Sequence, residues 1–190
     1  DYVCGDYPVS ICTADLDGDG DIDVATANGY SDGISTLWNN GDGSFATAER
    51  YIVGDCPESI CINDLDGDGD NDLVIANAIS DNLSILWNNC DGTFSAPLNY
   101  LTGDTPESVC AADFNGNGNI DLAVANYSSD NVSIFRNNGD GTFSGAISYG
   151  VASGPRSLFA SDLDEDGDVD LAVANYNSDN VSILQNNGDG

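Results

Sequence analysis

The sequence contains no lysine, no histidine and no methionine, and its only basic side chains are Arg50, Arg136 and Arg156 among 190 residues. Without histidine, His-based catalytic triads and His-ligated zinc or haem sites are excluded. Three cations against 33 acidic residues, a formal charge of −30, exclude the basic patch that nucleic acid or an anionic membrane requires. No apolar run approaches the roughly 18 residues of a membrane-spanning helix. No signal peptide is present and the chain starts at Asp1 without methionine, so it reads as a processed or partial form. So acidic a chain invites a disordered reading, but 41% hydrophobic residues in short phased runs argue for a packed core.

What the chain has instead is one acidic motif, four times over. Asp15-Leu16-Asp17-Gly18-Asp19-Gly20-Asp21-Ile22-Asp23 carries oxygen-bearing side chains at positions 1, 3, 5 and 9 and glycine at position 6. The motif returns at Asp64 to Asp72, Asp113 to Asp121 and Asp162 to Asp170, and the offsets 64 − 15, 113 − 64 and 162 − 113 are each 49. Calcium takes six to eight hard oxygen ligands, and only a sharply turned chain presents several from consecutive residues. Carboxylates at 1, 3, 5 and 9 with the carbonyl of position 7 meet that need, and the glycine permits the turn.

The expected ligand sets are Asp15, Asp17, Asp19, Asp21 and Asp23; Asp64, Asp66, Asp68, Asp70 and Asp72; Asp113, Asn115, Asn117, Asn119 and Asp121; and Asp162, Asp164, Asp166, Asp168 and Asp170. Up to four Ca2+ ions are therefore expected. The third loop, with Asn115 and Asn117, is the weakest, and the fourth gains charge from Glu165. Seventeen of the acidic residues are aspartates of these loops, where divalent cations would offset their repulsion. An EF-hand is excluded, because its position 12 would be Glu between helices. Here that position is Thr26, Ile75, Val124 and Val173, each inside an apolar strand pattern.

Everything else keeps the same period. In the second unit Ser59–Ile62 forms a short strand before the acidic loop, and Leu73–Ala76 a second, apolar on both faces. Leu83–Trp87 forms a third, Asn88-Asn89-Cys90-Asp91-Gly92 supplies hairpin chemistry, and Thr93-Phe94 opens a fourth strand running towards Tyr100-Leu101. Pro8, Pro57, Pro106 and Pro155 fall in the connections between units, where no ladder hydrogen bond is lost. Four-stranded units of this length predict an all-β chain, a β-propeller of four four-stranded blades over about 7–53, 56–102, 105–151 and 154–190. A solenoid is the competing geometry. Residues 1–4 are in phase with the end of a fourth strand, so they are expected to complete one. The ring then closes on itself, continues into the next subunit, or is a segment of a larger propeller.

Asp-x-Asp-x-Asp-Gly-x-x-Asp, then Leu-Ala-Val-Ala-Asn, then Asn-Asn-Gly-Asp-Gly-Thr-Phe resembles the FG-GAP/VCBS repeat, over essentially the whole chain. The resemblance implies a β-propeller with calcium in the hairpin loop between the first and second strands of each blade, as in integrin α subunits. It also implies seven blades, where this sequence holds four. The expected function is an extracellular calcium-binding propeller, structural or adhesive and without enzymatic activity. Its expected partners are identical subunits in a head-to-tail fibre, or surface glycans and proteins.

Six cysteines (Cys4, Cys12, Cys56, Cys61, Cys90 and Cys110) suggest an exported protein with disulfides, whose pairing the sequence does not choose. Asn82, Asn126, Asn131 and Asn180 stand in Asn-x-Ser sequons and are candidate glycosylation sites, although Ser-Asp-Asn is also good turn chemistry. Trp38 and Trp87 share one phase; they either pack at the strand margin or stack on a sugar, which makes a glycan-binding propeller the alternative function, beside an accessory domain cut from a larger secreted or surface protein.

Overall fold

The computed structural model describes residues 1–188 and 190. Among them there is no helix, and all regular structure lies in antiparallel sheets. The first sheet is β1 (Pro8–Ala14), β2 (Asp23–Asn28), β3 (Gly33–Leu37) and β4 (Glu49–Ile52). The second is β5 (Pro57–Asn63), β6 (Asp72–Asn77), β7 (Asn82–Leu86) and β8 (Leu98–Leu101), and the third is β9 (Pro106–Ala112), β10 (Asp121–Asn126), β11 (Asn131–Phe135) and β12 (Ile147–Gly150). The fourth has three strands, β13 (Pro155–Ser161), β14 (Asp170–Asn175) and β15 (Asn180–Leu184). Within each sheet the strands follow one another in sequence order, as propeller blades do.

The prolines open the first strands instead of lying before them. Pro8, Pro57, Pro106 and Pro155 each pair with the last residue of the second strand, and a register shift follows at once. The missing N–H thus falls where the ladder is already interrupted. The fourth strands begin later than expected. Phe94 makes only an isolated bridge to Asn88, and regular pairing resumes at Leu98. The arm through Phe94 belongs to a tight loop of its own, closed by the Asn89 N–H to the Thr93 carbonyl (3.0 Å) and by Asn89 Nδ2 to Thr93 Oγ1 (3.0 Å).

The first strands form a row in which β1 packs beside β5, β5 beside β9 and β9 beside β13. The second strands of the two inner blades, β6 and β10, are buried at every residue, which explains their unbroken apolar sequences. Three apolar clusters fill the three junctions between neighbouring blades. Leu16, Ala27 and Ile34 meet Ile60, Leu73, Ile75 and Leu86 at the first; Leu65, Leu83 and Ile85 meet Val109, Leu122, Val124 and Phe135 at the second. Phe114, Val132 and Ile134 meet Leu158, Leu171 and Val173 at the third. Each fully buried Leu, Ile or Val contributes about 1.5–3 kcal/mol, so the core lies between blades and not within them.

The four sheets form an open arc and do not close into a ring. Within this single chain residues 1–4 do not complete the fourth blade. Tyr2 instead packs edge-on against Phe45 of the first blade, 5.4 Å between ring centres, and its hydroxyl accepts the Phe45 N–H at 3.0 Å.

Candidate metal centres in the acidic loops

Each acidic loop is wound by its own carboxylates. In the first, Asp15 accepts the N–H groups of Gly18 (2.8 Å) and Gly20 (3.0 Å), Asp17 that of Asp19 (3.1 Å), and Asp19 that of Asp21 (2.8 Å). The second loop repeats this pattern from Asp64 to Asp70. Two residues per loop take left-handed backbone. Gly20, Gly69, Gly118 and Gly167 at position 6 have φ from 88° to 99°, the turn expected from the sequence. Position 4 is the second, with Gly18, Gly67 and Gly116 at 77°, 80° and 68°. In the fourth loop Glu165 occupies that position at φ 65°, a conformation strained for a side-chain-bearing residue.

Winding the loop this way gathers carboxylates at one point. Ligand atoms of Asp15, Asp17 and Asp19 lie within 4.8 Å of one another, as do those of Asp64, Asp66 and Asp72 and those of Asp162, Asp164 and Asp170. Clusters of this kind can hold a metal ion. Loop three differs. Asn115 turns its amide nitrogen onto Asp121 at 2.9 Å, so position 3 there is hydrogen-bonded to position 9 within the loop. The position-7 side chains sit beside the Asn-Asn-Gly hairpin of their own blade: a Cβ on Gly41, Gly139 or Gly188 would meet Asp21, Asn119 or Asp168 within 3 Å. In the second blade Cys90 stands at that glycine position, its thiol bonded to Asp70.

The position-9 aspartates, Asp23, Asp72, Asp121 and Asp170, are buried. Each is a bracket. Asp72 accepts the Leu65 N–H at 3.0 Å and the Asn88 N–H at 2.9 Å, tying the loop to the end of β7. Burial pushes its carboxyl up to about 6, against the pull of those two N–H groups; Asp23 and Asp121 are raised for the same reason.

A further residue of the site was not legible as such. Asn88, read from sequence as turn chemistry, is buried and donates to the Asn71 carbonyl of its own loop (3.0 Å) and to the Leu16 carbonyl in the loop of the preceding blade (2.9 Å). Asn137 does the same to Ile120 and Leu65, and Asn186 to Val169 and Phe114. Asn39, in the first blade, holds the Ile22 carbonyl of its own loop at 3.0 Å. The only available signal was its 49-residue phase, which turn chemistry explained equally well.

Other expectations need correction. All six cysteines are free thiols, so no disulfide is formed. Cys12 and Cys110 lie on first strands, where burial pushes their thiols up to about 12 and keeps them unreactive; Cys61 is raised further by the same burial. Asn126 is fully buried, with Nδ2 donating to Asn131 Oδ1 (2.7 Å) and Ser133 Oγ (2.8 Å), and no glycan can reach it in the folded chain. Asn82 and Asn131 are half-buried and Asn180 is exposed. Trp38 stacks against Phe94 across the first junction, and Trp87 packs on the second cluster; both are half-buried packing residues.

The profile of the FG-GAP-like repeat matches residues 6–62, 64–124 and 113–173. The chain belongs to the FG-GAP-like repeat family. No curated protein sequence matches it. Among solved structures, this FG-GAP chain is similar to BBS1N in its complex with ARL6DN (16% identity, TM-score 0.66, covering 98% of this chain and 60% of that one). It is similar to an Agrocybe aegerita lectin that recognises non-reducing terminal N-acetylglucosamine (24%, 0.58, 93% and 52%) and to the V. cholerae biofilm matrix protein Bap1 (23%, 0.51, 98% and 31%). These likenesses show the fold alone. The FG-GAP chain thus spans about 60%, 52% and 31% of the three.

Proposed function

We propose that this FG-GAP chain is an extracellular, calcium-loaded propeller module with a structural or adhesive role and no catalytic activity. The observation that carries the reading is the convergence of three carboxylates within 4.8 Å in three of the four loops. Oxygen-only donors on a tight turn suit calcium better than the softer transition metals, which favour nitrogen and sulfur. The residues that would hold it are those at positions 1, 3, 5 and 9 with the position-7 carbonyl.

Bound calcium would offset the carboxylate repulsion that these loops otherwise impose on a chain of charge −30. At a free calcium concentration about tenfold above the dissociation constant, linkage supplies about 1.4 kcal/mol per site. Four sites give roughly 5 kcal/mol, comparable with the net stability of a domain. Sites of that affinity would fill at extracellular calcium levels, which supports the proposed location. The paired carboxylates are better explained as calcium ligands than as an acid–base pair, which supports a binding role without catalysis. The test is thermal unfolding in excess calcium and in excess chelator. The expected result is a marked loss of Tm, or unfolding, on chelation. An unchanged melting curve would sink the reading.

A further inference from the structure

A run of hydrogen bonds passes from blade to blade through all four acidic loops. In loop one Asp23 accepts the Leu16 N–H (2.9 Å), and the Leu16 carbonyl accepts from Asn88 Nδ2 (2.9 Å). The backbone N–H of Asn88 donates in turn to Asp72 of loop two (2.9 Å). The same three bonds lead from Asp72 through Leu65 and Asn137 to Asp121 (3.0, 2.7 and 2.7 Å). They lead again from Asp121 through Phe114 and Asn186 to Asp170 (3.2, 2.5 and 2.8 Å). Asn88 and Asn137 are 8% and 4% exposed and Asp72 and Asp121 at most 1%, so water competes little for these bonds.

The crossings grip each loop where its ligands stand. Leu16 lies between Asp15 and Asp17, two of the three carboxylates that converge in loop one. Its carbonyl is held by Asn88, and the Asp15 carbonyl by Asn71 Nδ2 (3.1 Å), so the second blade fixes both peptide links from Asp15 to Asp17. On the other side, Asn71 adjoins Asp72 in sequence and Asn88 is bonded to it, and Asp72 is one of the three converging carboxylates of loop two. The hairpin that carries Asn88 also leans on loop one: a Cβ on Gly92 would lie 3.3 Å from the Asp17 Cβ.

We infer that Asn88, Asn137 and Asn186 are positioning residues that couple neighbouring loops, so that a loop binds calcium more tightly once the loop of the next blade is filled. Without an ion the close carboxylates of a loop repel one another, and the loop must be ordered as it binds. Once loop two is ordered, Asp72 is fixed, and Asn88 and Asn71 with it. The backbone from Asp15 to Asp17 is then already set, and loop one binds with less ordering left to do. By linkage, loop one favours loop two by the same factor. Charge acts the other way. A filled loop two carries three net negative charges, whereas an empty one bearing Asp64→Asn keeps four, so charge alone makes loop one bind more tightly when its neighbour is emptied. The clamp gives the opposite sign.

The coupling rests on the calcium reading proposed above. The test is a calcium titration of the whole chain at about 0.15 M salt, which screens the exposed charges, followed by the amide NMR signals of the position-6 glycines. The Gly20 N–H is bonded to Asp15 (3.0 Å) and so reports loop one. Asp64→Asn, which disables loop two, is expected to raise the Gly20 midpoint about fivefold, with loop one still filling in excess calcium. Gly167 of loop four, two junctions away, is expected to stay within about twofold, which also shows the variant folded. In the Asn88→Ala background the Asp64→Asn shift at Gly20 is expected to vanish or reverse; an asparagine with a merely structural role would lower stability and leave that shift untouched. Asn71→Ile installs the residue that the first and third loops carry there, Ile22 and Ile120, and keeps the test open if Asn88→Ala does not fold. It removes one of the two grips on loop one and is expected to reduce the shift to about twofold. A Gly20 midpoint unmoved or lowered by Asp64→Asn, or raised equally with and without these asparagines, would overturn the coupling and leave the calcium reading standing. Glycine signals that do not move in calcium would overturn both.

Discussion

Replacing Asn88 by alanine isolates what binds one blade to the next. The Asn88 side chain makes three hydrogen bonds, donating to the Leu16 and Asn71 carbonyls at 2.9 and 3.0 Å and accepting the Cys90 N–H at 3.1 Å. At about 1 kcal/mol net for each bond, with carbonyls left bare in a buried place, Asn88→Ala is expected to cost about 3 kcal/mol. Asn39 is the internal control. It holds the Ile22 carbonyl and accepts the Gly41 N–H, but among the described residues it bonds no carbonyl of another blade, and it is half-buried where Asn88 is buried. Asn39→Ala is therefore expected to cost about 1 kcal/mol. The assay is urea denaturation in saturating calcium. Equal costs at the two positions would refute the idea that this asparagine works as a clamp between blades.

Glu165→Gly relieves the left-handed strain at position 4 of the last loop and is expected to raise stability by about 0.5–1 kcal/mol in the same denaturation assay, although it removes a charge. Cys90→Gly restores the residue found at the other three hairpins, relieves the strain of a side-chain-bearing residue at φ 61°, and is expected to raise Tm by a few degrees; a lower Tm would contradict the strain argument. The raised carboxyl of Asp72 gives a pH dependence. Its ordinary value is 3.8 and its folded value about 6, so the folded chain holds that proton more tightly than the unfolded one. This contribution is complete below about pH 4 and is lost as pH rises through about 6. The Tm of the calcium-free protein is accordingly expected to be higher at pH 5 than at pH 7.5, and a Tm that instead falls at pH 5 would count against a buried, isolated Asp72.

The blade was legible because its signals repeat. Four acidic loops, four apolar second strands and four prolines at one spacing specify a repeating β unit without any long-range information. Strand ends were less legible. The gap between Phe94 and Leu98 depends on Asn89 and Asp91 closing their loop with side-chain bonds, a local competition with the ladder that apolar pattern does not reveal. The site was legible in its ligands but not in its supports. Position-6 glycine was read from the need for a turn; the left-handed position 4 was hidden because the fourth loop breaks the glycine pattern with Glu165. The clamp of Asn88 joins residues 72 apart in sequence and belongs to packing between blades, which no single repeat contains. Disulfides were inferred from cysteine number alone, yet Cys12, Cys61 and Cys110 follow one strand phase, as packing residues do.

The account rests on calcium in the acidic loops, and counting bound ions tests it most directly. Equilibrium dialysis of the chelator-stripped chain against millimolar calcium is expected to give close to four ions per chain, the third loop filling last because Asn115 and Asn117 replace two carboxylates and Asn115 is turned onto Asp121. Asp64→Ala is expected to remove one ion and leave the other three. A chain that retains its β-sheet spectrum and binds no calcium at that concentration would contradict the account.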